Sequence, residues 1–397
     1  MFNPLTSRER LLRALRHEPP DYVPCAFMSF AAMRGRCQDA CEVVEQELAL
    51  GLDSWLFIPS SWRGQRPNHP DLRGLPVRLP PNVRTLLWVE NLPGEPCPVL
   101  HKEYHTPAGV LTTLVRKTTD WPHGNFVPFF DDYQIPRAIK PLVTTAEDLV
   151  ALRTMLQPPS ETDISAFYAE AGRARAFCAR KGVLLAGGWG VGADLVAWLC
   201  GLQNMMFMAM DQPQLLEELL ALIAAWNEAR MRVVLEVGVD LYIRRGWYEG
   251  ADFWSPGLYR QFLLPQIQRE AALAHEYGAL FGYTMTTGAL PMLDNILESG
   301  VDVILGVDPL QRGERPLETM RDKLGGRVCL WGGVNGAITV EEGTESEVRE
   351  AVIQALEAMR GVNGFILSPV DNITEITLNA WHNVDVFIQT WKEYRAG

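Results

Sequence analysis

Seven cysteines are an odd number, and no two of them form a C-x-x-C pair. They stand at positions 25, 37, 41, 97, 178, 200 and 329, a spacing that excludes a disulfide scaffold and a compact zinc finger. Cys37 and Cys41 are one helical turn apart but have no second pair to complete a metal set. Reduced thiols in a cytoplasmic protein are therefore expected. Histidine is scarce as well: there are seven, with no H-x-x-x-H or H-E-x-x-H. Lys and Arg number 36 against 48 Asp and Glu, giving a net charge of -12. They form no basic block, which argues against nucleic acid as a partner. No run of about 18 apolar residues occurs, so no membrane span is expected. The opening "MFNPLTSRERLLRALRHEPPDYVP" lacks the apolar centre of a secretory signal. No P-loop or G-x-S-x-G stands out, and no G-x-G-x-x-G follows the first strand, which argues against a dinucleotide fold.

What is present is the material of a large core. Hydrophobic residues make up 47% of the 397 positions and charged residues 21%, as in a soluble globular enzyme. Thr6 or Ser7 caps a first helix whose apolar face is Leu11, Leu12 and Leu15, and Pro19-Pro20 stop it. "VPCAFMSF" then reads as a strand, "DACEVVEQELALGL" as a helix ended by Gly51, and "DSWLFIPSSW" as the next strand. Later strands are "GVLLAGGWG", "VDLYIRRGWYE", "ALFGYTM", "VDVILGVDP", "RVCLWGGVN" and "GFILSPVDNI", with amphipathic helices between them. Short apolar strands alternating with helices indicate a parallel sheet covered by helices. Eight such units predict a closed (β/α)8 TIM barrel formed by the whole chain as one domain. From about residue 67 to 120 the texture changes: "RTLLWVEN", "VLHKEYHTPAG" and "VLTTLVRKTT" predict an antiparallel β insertion. The Met run "NMMFMAM" reads as helix core.

In such a barrel, function collects where strands end. Those ends carry Met28, Ser60, Trp189, Arg244, Arg245, Tyr283, Thr284, Asp308, Asn335 and Asp371. Arg244 and Arg245 are adjacent, so only one can look into the barrel. An inward Arg suits a carboxylate or phosphate; the alternative is an internal salt bridge to Glu249 or Asp240. In "WYEGADFW", Glu249 is an acid/base candidate, while Trp247 and Tyr248 could wall a flat substrate. Asp252 and Ser255 read as helix caps before Pro256. Asp308, directly before Pro309, is an acid/base candidate or the cap of the next turn. Gly332 and Gly333 allow either close approach to a ligand or simply a tight turn.

Taken together, several segments resemble the uroporphyrinogen decarboxylase superfamily: "RERLLRALRHEPPDYVPC", "ELALGLDSWLF", "GGWGVGADLVAWLCGLQNMMFMAMDQPQLLEELL", "ADFWSPGLYRQFLLPQIQREAALAHEYG", "LPMLDNILESGVDVILGVDP" and "RVCLWGGVNGAITVEEGTESEVREAVIQAL". They span nearly the whole chain in order. The resemblance implies a (β/α)8 barrel, a cleft at its C-terminal mouth and a homodimer. It also implies one of two chemistries. One is cofactor-free decarboxylation of uroporphyrinogen, for which Arg34 and Arg36 lie roughly in the carboxylate-binding place. The other is zinc-assisted methyl transfer, as in the methylcobalamin:coenzyme M methyltransferases, with a corrinoid protein as partner. "EYHTPAGVLTTLVRK" and "SPVDNI" lean towards the second branch. Where that branch writes H-x-C-G this chain has Tyr283 to Gly288, and Ser368-Pro369 stands where it has a further Cys. The expectation is methyl transfer or demethylation of a small methylated or aromatic anionic substrate. Glu249, Asp308 and Tyr283 would be catalytic; Arg244, Arg245, Met28, Ser60, Trp189, Tyr248, Trp247, Thr284, Asn335 and Asp371 would bind the substrate. The alternative is decarboxylation of a tetrapyrrole-like polycarboxylate.

Overall fold

In a computed structural model, residues 4–59, 78–131 and 134–396 are described. The strands are β1 (Trp55–Ile58), β2 (Arg84–Glu90), β3 (Val99–Thr106), β4 (Gly109–Arg116), β5 (Ala138–Lys140), β6 (Leu184–Gly190), β7 (Leu241–Arg245), β8 (Leu280–Thr284), β9 (Val303–Val307), β10 (Cys329–Asn335) and β11 (Phe365–Val370). By contact, the chain falls into two compact units. One comprises residues 1–62, 170–188 and 234–397, the other 63–169 and 189–233. The second unit thus takes in 189–233 besides the stretch read as an insertion.

The first unit holds a parallel sheet of seven strands in the order β1-β6-β7-β8-β9-β10-β11. The segment around Cys25 fills the eighth place. Cys25 bridges Leu367 of β11 in parallel, and its carbonyl accepts from Asp53 N just before β1. The sheet therefore closes on itself, as the count of eight βα units requires.

Local chemistry sets the helix ends. Thr6 accepts from Glu9 N, while the Glu9 carboxylate accepts from Thr6 N, a reciprocal cap on helix Ser7–Leu15. Ser255 caps helix Pro256–Phe262, with proline in its first turn. Asp252 caps no helix. Behind the first helix, Arg10 is buried and reaches Asp21 at 2.6 Å and Asp53 at 2.5 Å.

The second unit contains the antiparallel sheet β2-β3-β4-β5. It extends to Lys140, past the expected boundary near 120, because β5 pairs with β4 at Leu114↔Lys140. The Met run is only partly core: Met205 and Met208 are buried, whereas Met206, Phe207 and Met210 are exposed. Among the described residues no single helix is long and apolar enough to cross a membrane.

Candidate active site

Strand register decides which of the two arginines enters the barrel. Across β7 to β10, Arg245 pairs with Thr284, Thr284 with Leu305, and Leu305 with Trp331. In-register partners on neighbouring strands share a face, so these four form one row. Trp331 identifies that face. Its indole N–H donates to the Ala26 carbonyl at 2.8 Å, and its ring lies 5.4 Å from that of Trp55. Both contacts reach beyond β11, across the barrel interior, so the row Arg245–Thr284–Leu305–Trp331 lines the inside. The same face carries Gly282, where an added Cβ would meet Leu305, Leu241 and Val303.

The neighbouring row, Arg244–Tyr283–Ile304, points the other way, towards the helices. There Arg244 donates to Glu249 at 2.8 Å and to both oxygens of Glu270, on helix Leu264–Glu276, at 2.8 and 2.9 Å. Tyr283 donates to the other Glu249 oxygen at 2.5 Å, and Tyr259 OH lies 3.4 Å from Tyr283 OH. Burial alone would lower the Arg244 pKa, but Glu249 and Glu270 outweigh it and hold the guanidinium charged. The Tyr283 phenol is pushed well up by burial and then by the Glu249 charge. Glu249 and Tyr283 are both 0% exposed. Glu249 and Tyr283 therefore stand in a buried ion-pair network on the helix side of β7 and β8, apart from the inward-facing row. Arg244 belongs to the same network, and its salt bridge to Glu249 is the alternative that the sequence left open.

The mouth of the barrel is built from the ends of β9, β10 and β11. Asp308 Oδ1 accepts from Leu310 N at 2.8 Å, capping the following turn. Its Oδ2 accepts from Asn335 Nδ2 at 2.8 Å, which ties the loop after β9 to the end of β10. Asn335 Oδ1 accepts from Ile338 N and caps the next turn. Met28 N donates to Ser368 Oγ at 2.9 Å, and Ser29 bridges Asn372, which brings the first strand beside the last. Asp371 takes a left-handed backbone, φ 69°, which a non-glycine residue adopts at an energetic cost. Its carboxyl is pushed up by desolvation, then by the nearby charges of Glu341 and Asp308, although the residue as a whole is exposed.

The remaining expected residues are dispersed. Trp247 and Tyr248 are half-buried; the Tyr248 ring lies 5.3 Å from Phe253, and its carbonyl accepts from Trp254 Nε1. Trp189 belongs to the second unit, has a left-handed φ of 74°, and accepts from Arg230 through its carbonyl. Ser60 lies outside the described residues. Arg36 stacks on Trp381, 3.6 Å from the ring centre, and Arg34 lies in the field of Glu47.

The zinc that the resemblance implies does not fit these residues. From Tyr283 to Gly288 the side chains offer hydroxyls and a thioether, not the nitrogen and thiolate donors that zinc prefers. The loop closes on backbone instead: Ala251 N donates to Gly288 O at 3.0 Å, and a Cβ at Gly288 would stand 2.5 Å from Ala251 N. Among the described residues, no group of three His, Cys, Asp or Glu could hold a metal ion.

Glu270, Tyr259, Glu341 and Trp331 were not singled out from the sequence. Glu270 had one legible signal: it occupies the helix face that also carries Ile267, Ala271 and Ala274, where a charge needs a buried partner. In the second unit, His123 meets Asp131 at 2.7 Å, both side chains almost fully buried, with the Trp121 ring 4.9 Å away.

Comparison with known proteins bears on this geometry. The family model described as uroporphyrinogen decarboxylase (URO-D) matches residues 127–394. Among solved structures, the chain is similar to a methyltransferase from Methanosarcina mazei, with 16% identity and a TM-score of 0.61, covering 98% of this chain and 99% of that one. At this identity the likeness is one of fold. A deoxyribose phosphate aldolase from Aeropyrum pernix matches with 13% identity, a TM-score of 0.32 and coverage of 59% and 85%. A 3-keto-D-glucoside 4-epimerase from E. coli matches with 11% identity, a TM-score of 0.37 and coverage of 58% and 86%. No curated protein matches.

Proposed function

We propose a function from the premise that this chain belongs to the uroporphyrinogen decarboxylase family, whose model matches most of it. The function is methyl transfer from a small anionic methylated substrate, with Arg245 holding the anion. The observation that carries the reading is the inward row Arg245–Thr284–Leu305–Trp331, which puts an arginine on the inner face of the barrel in a row with Thr284, Leu305 and Trp331. A guanidinium in such a place binds a carboxylate in bidentate fashion, and the apolar neighbours suit an aromatic or methyl-bearing body. The solved structure that shares this fold is that of a methyltransferase, and methyl transfer is carried over from it as part of this proposal.

In the demethylation of a methyl ether, the carbon–oxygen bond breaks and the methyl group passes to an acceptor nucleophile, for which a corrinoid carried by a partner protein is the chemical class proposed. The departing oxygen then needs a proton. Asp371, with its raised pKa, is the donor proposed here, and Asp308, held at both oxygens, fixes the polar edge of the site. No step is routed through zinc. The alternative is removal of carboxylates from a tetrapyrrole, with Arg34, Arg36 and Arg245 as the cations; of these Arg36 stacks on Trp381.

The test incubates the purified chain, with a reduced corrinoid as acceptor, with anionic aromatic methyl ethers and, separately, with uroporphyrinogen. Methyl loss from the ethers supports the reading. Release of carbon dioxide from uroporphyrinogen without methyl loss would replace it with decarboxylation.

A further inference from the structure

Strand β1 divides its side chains between two faces. Leu56 and Ile58 are 4% and 1% exposed, while Trp55 and Phe57, on the other face, are half-buried. The Trp55 ring lies 5.4 Å from that of Trp331, whose row lines the barrel interior, so Trp55 and Phe57 face inward as well. The two rings of β1 stand at 87° to each other with centroids 6.2 Å apart, as two walls of a corner. Trp331 backs the Trp55 wall at 62°. Both indole N–H groups are spent on backbone: Trp55 Nε1 donates to the Phe27 carbonyl at 2.9 Å, and Trp331 Nε1 to that of Ala26 at 2.8 Å. With its N–H engaged, Trp55 offers a ligand its ring and no donor, as Phe57 does. Arg245 and Thr284 stand on the same inner face of the barrel.

We propose that the Trp55–Phe57 corner is a subsite for a methylated ammonium group, so that the ligand of the barrel is a methylammonium carboxylate. The inference rests on the anion site at Arg245 and adds the other end of the ligand. An aromatic ring is negative on its face, and a cation set against that face is attracted by it. A quaternary ammonium has no N–H to place, so a corner without acceptors costs it nothing. A primary ammonium would lose its hydrogen bonds there. A cation without a carboxylate would meet the Arg245 charge across the interior, whereas a zwitterion sets its carboxylate against the guanidinium. The spacing suits a short molecule. In the sheet only β6 separates β1 from β7, so the two strands lie about 10 Å apart, a gap that inward side chains and one small ligand fill together.

Titration calorimetry on the full chain with N,N,N-trimethylglycine and with 3,3-dimethylbutanoate tests the subsite. The two ligands share shape and carboxylate and differ in the positive charge, because carbon replaces nitrogen. Trimethylglycine should bind the wild type at least about tenfold more tightly. Phe57→Leu and Trp55→Leu keep the corner apolar and remove one ring each. Each should cut the preference at least about threefold while 3,3-dimethylbutanoate binds within a few-fold of its wild-type affinity. Trp55→Phe restores a ring and should recover part of the preference. The wild-type comparison needs no variant, so it decides even where a leucine variant fails to fold. Equal binding of the two ligands, tighter binding of 3,3-dimethylbutanoate, or a preference that survives both leucine substitutions would overturn the subsite and leave the anion site standing. Binding of neither ligand would overturn the anion site at Arg245 and the subsite with it.

Discussion

Arg244 and Arg245 are neighbours in the chain and serve opposite faces of β7: Arg244 is locked between Glu249 and Glu270 on the helix side, while Arg245 shares the inner row with Thr284 and Trp331. A single peptide step separates scaffold from site, because successive side chains of a strand alternate.

The scaffold half of that division has a stability signature. Arg244→Met leaves two buried carboxylates without their cation, and removing one partner of a buried pair costs about 3–5 kcal/mol. Urea unfolding should show a loss of that order.

Tyr283→Phe probes the same network more gently. It removes the hydrogen bond to the Glu249 carboxylate, worth about 1.5–3 kcal/mol, and the longer one accepted from Tyr259. The folded fraction should keep its activity, since Tyr283 lies on the helix side. A loss of turnover at full folding would return Tyr283 to the catalytic group.

Asp371 combines an unfavourable backbone with a raised carboxyl pKa. Asp371→Gly should stabilise the fold by about 1 kcal/mol, because glycine takes the left-handed conformation freely. Activity should fall in the same variant. As a proton donor, Asp371 also imposes a basic limb: kcat/KM should decline as pH rises through its raised pKa, and Asp371→Asn should remove that limb.

Stability should depend on pH through Glu47. Burial pushes its carboxyl up to about 7 from an ordinary 4.5, against the hydrogen bond from Ser54. The folded state therefore keeps a proton that the unfolded chain has released. The contribution is complete below pH 4.5 and disappears as pH rises through about 7, a loss of about 3 kcal/mol at most. Asp53, pushed up to about 6 chiefly by burial, adds a slope of the same sign at lower pH. Denaturant midpoints between pH 5 and 8 should fall in the wild type, and Glu47→Gln should flatten the upper part.

The barrel was legible because its signals are local. Thr6 with Glu9, Gly51, and Ser255 with Pro256 announce helix ends, and runs such as "VDVILGVDP" announce buried strands. The inward choice between Arg244 and Arg245 was not legible, since alternation gives only that they differ; the register with β8, β9 and β10 supplies the sign. Glu249 was read as an acid/base candidate because it follows a strand end; Glu270, which shares Arg244 with it, lies more than twenty positions further on, on a helix. Pairings at that distance leave no local pattern. The extension of the antiparallel sheet to Lys140 escaped notice for a similar reason, β5 being too short to show alternation.

The central claim is that Arg245 holds the anionic end of the substrate. Titration calorimetry with methoxybenzoate and its neutral counterpart methoxybenzamide, on the wild type and on Arg245→Met, tests it without any methyl acceptor. The account predicts that the wild type binds the carboxylate at least about tenfold more tightly than the amide, as a charged hydrogen-bonded pair implies, and that Arg245→Met abolishes the difference. Equal affinity of the wild type for acid and amide, or a preference that survives Arg245→Met, would contradict it.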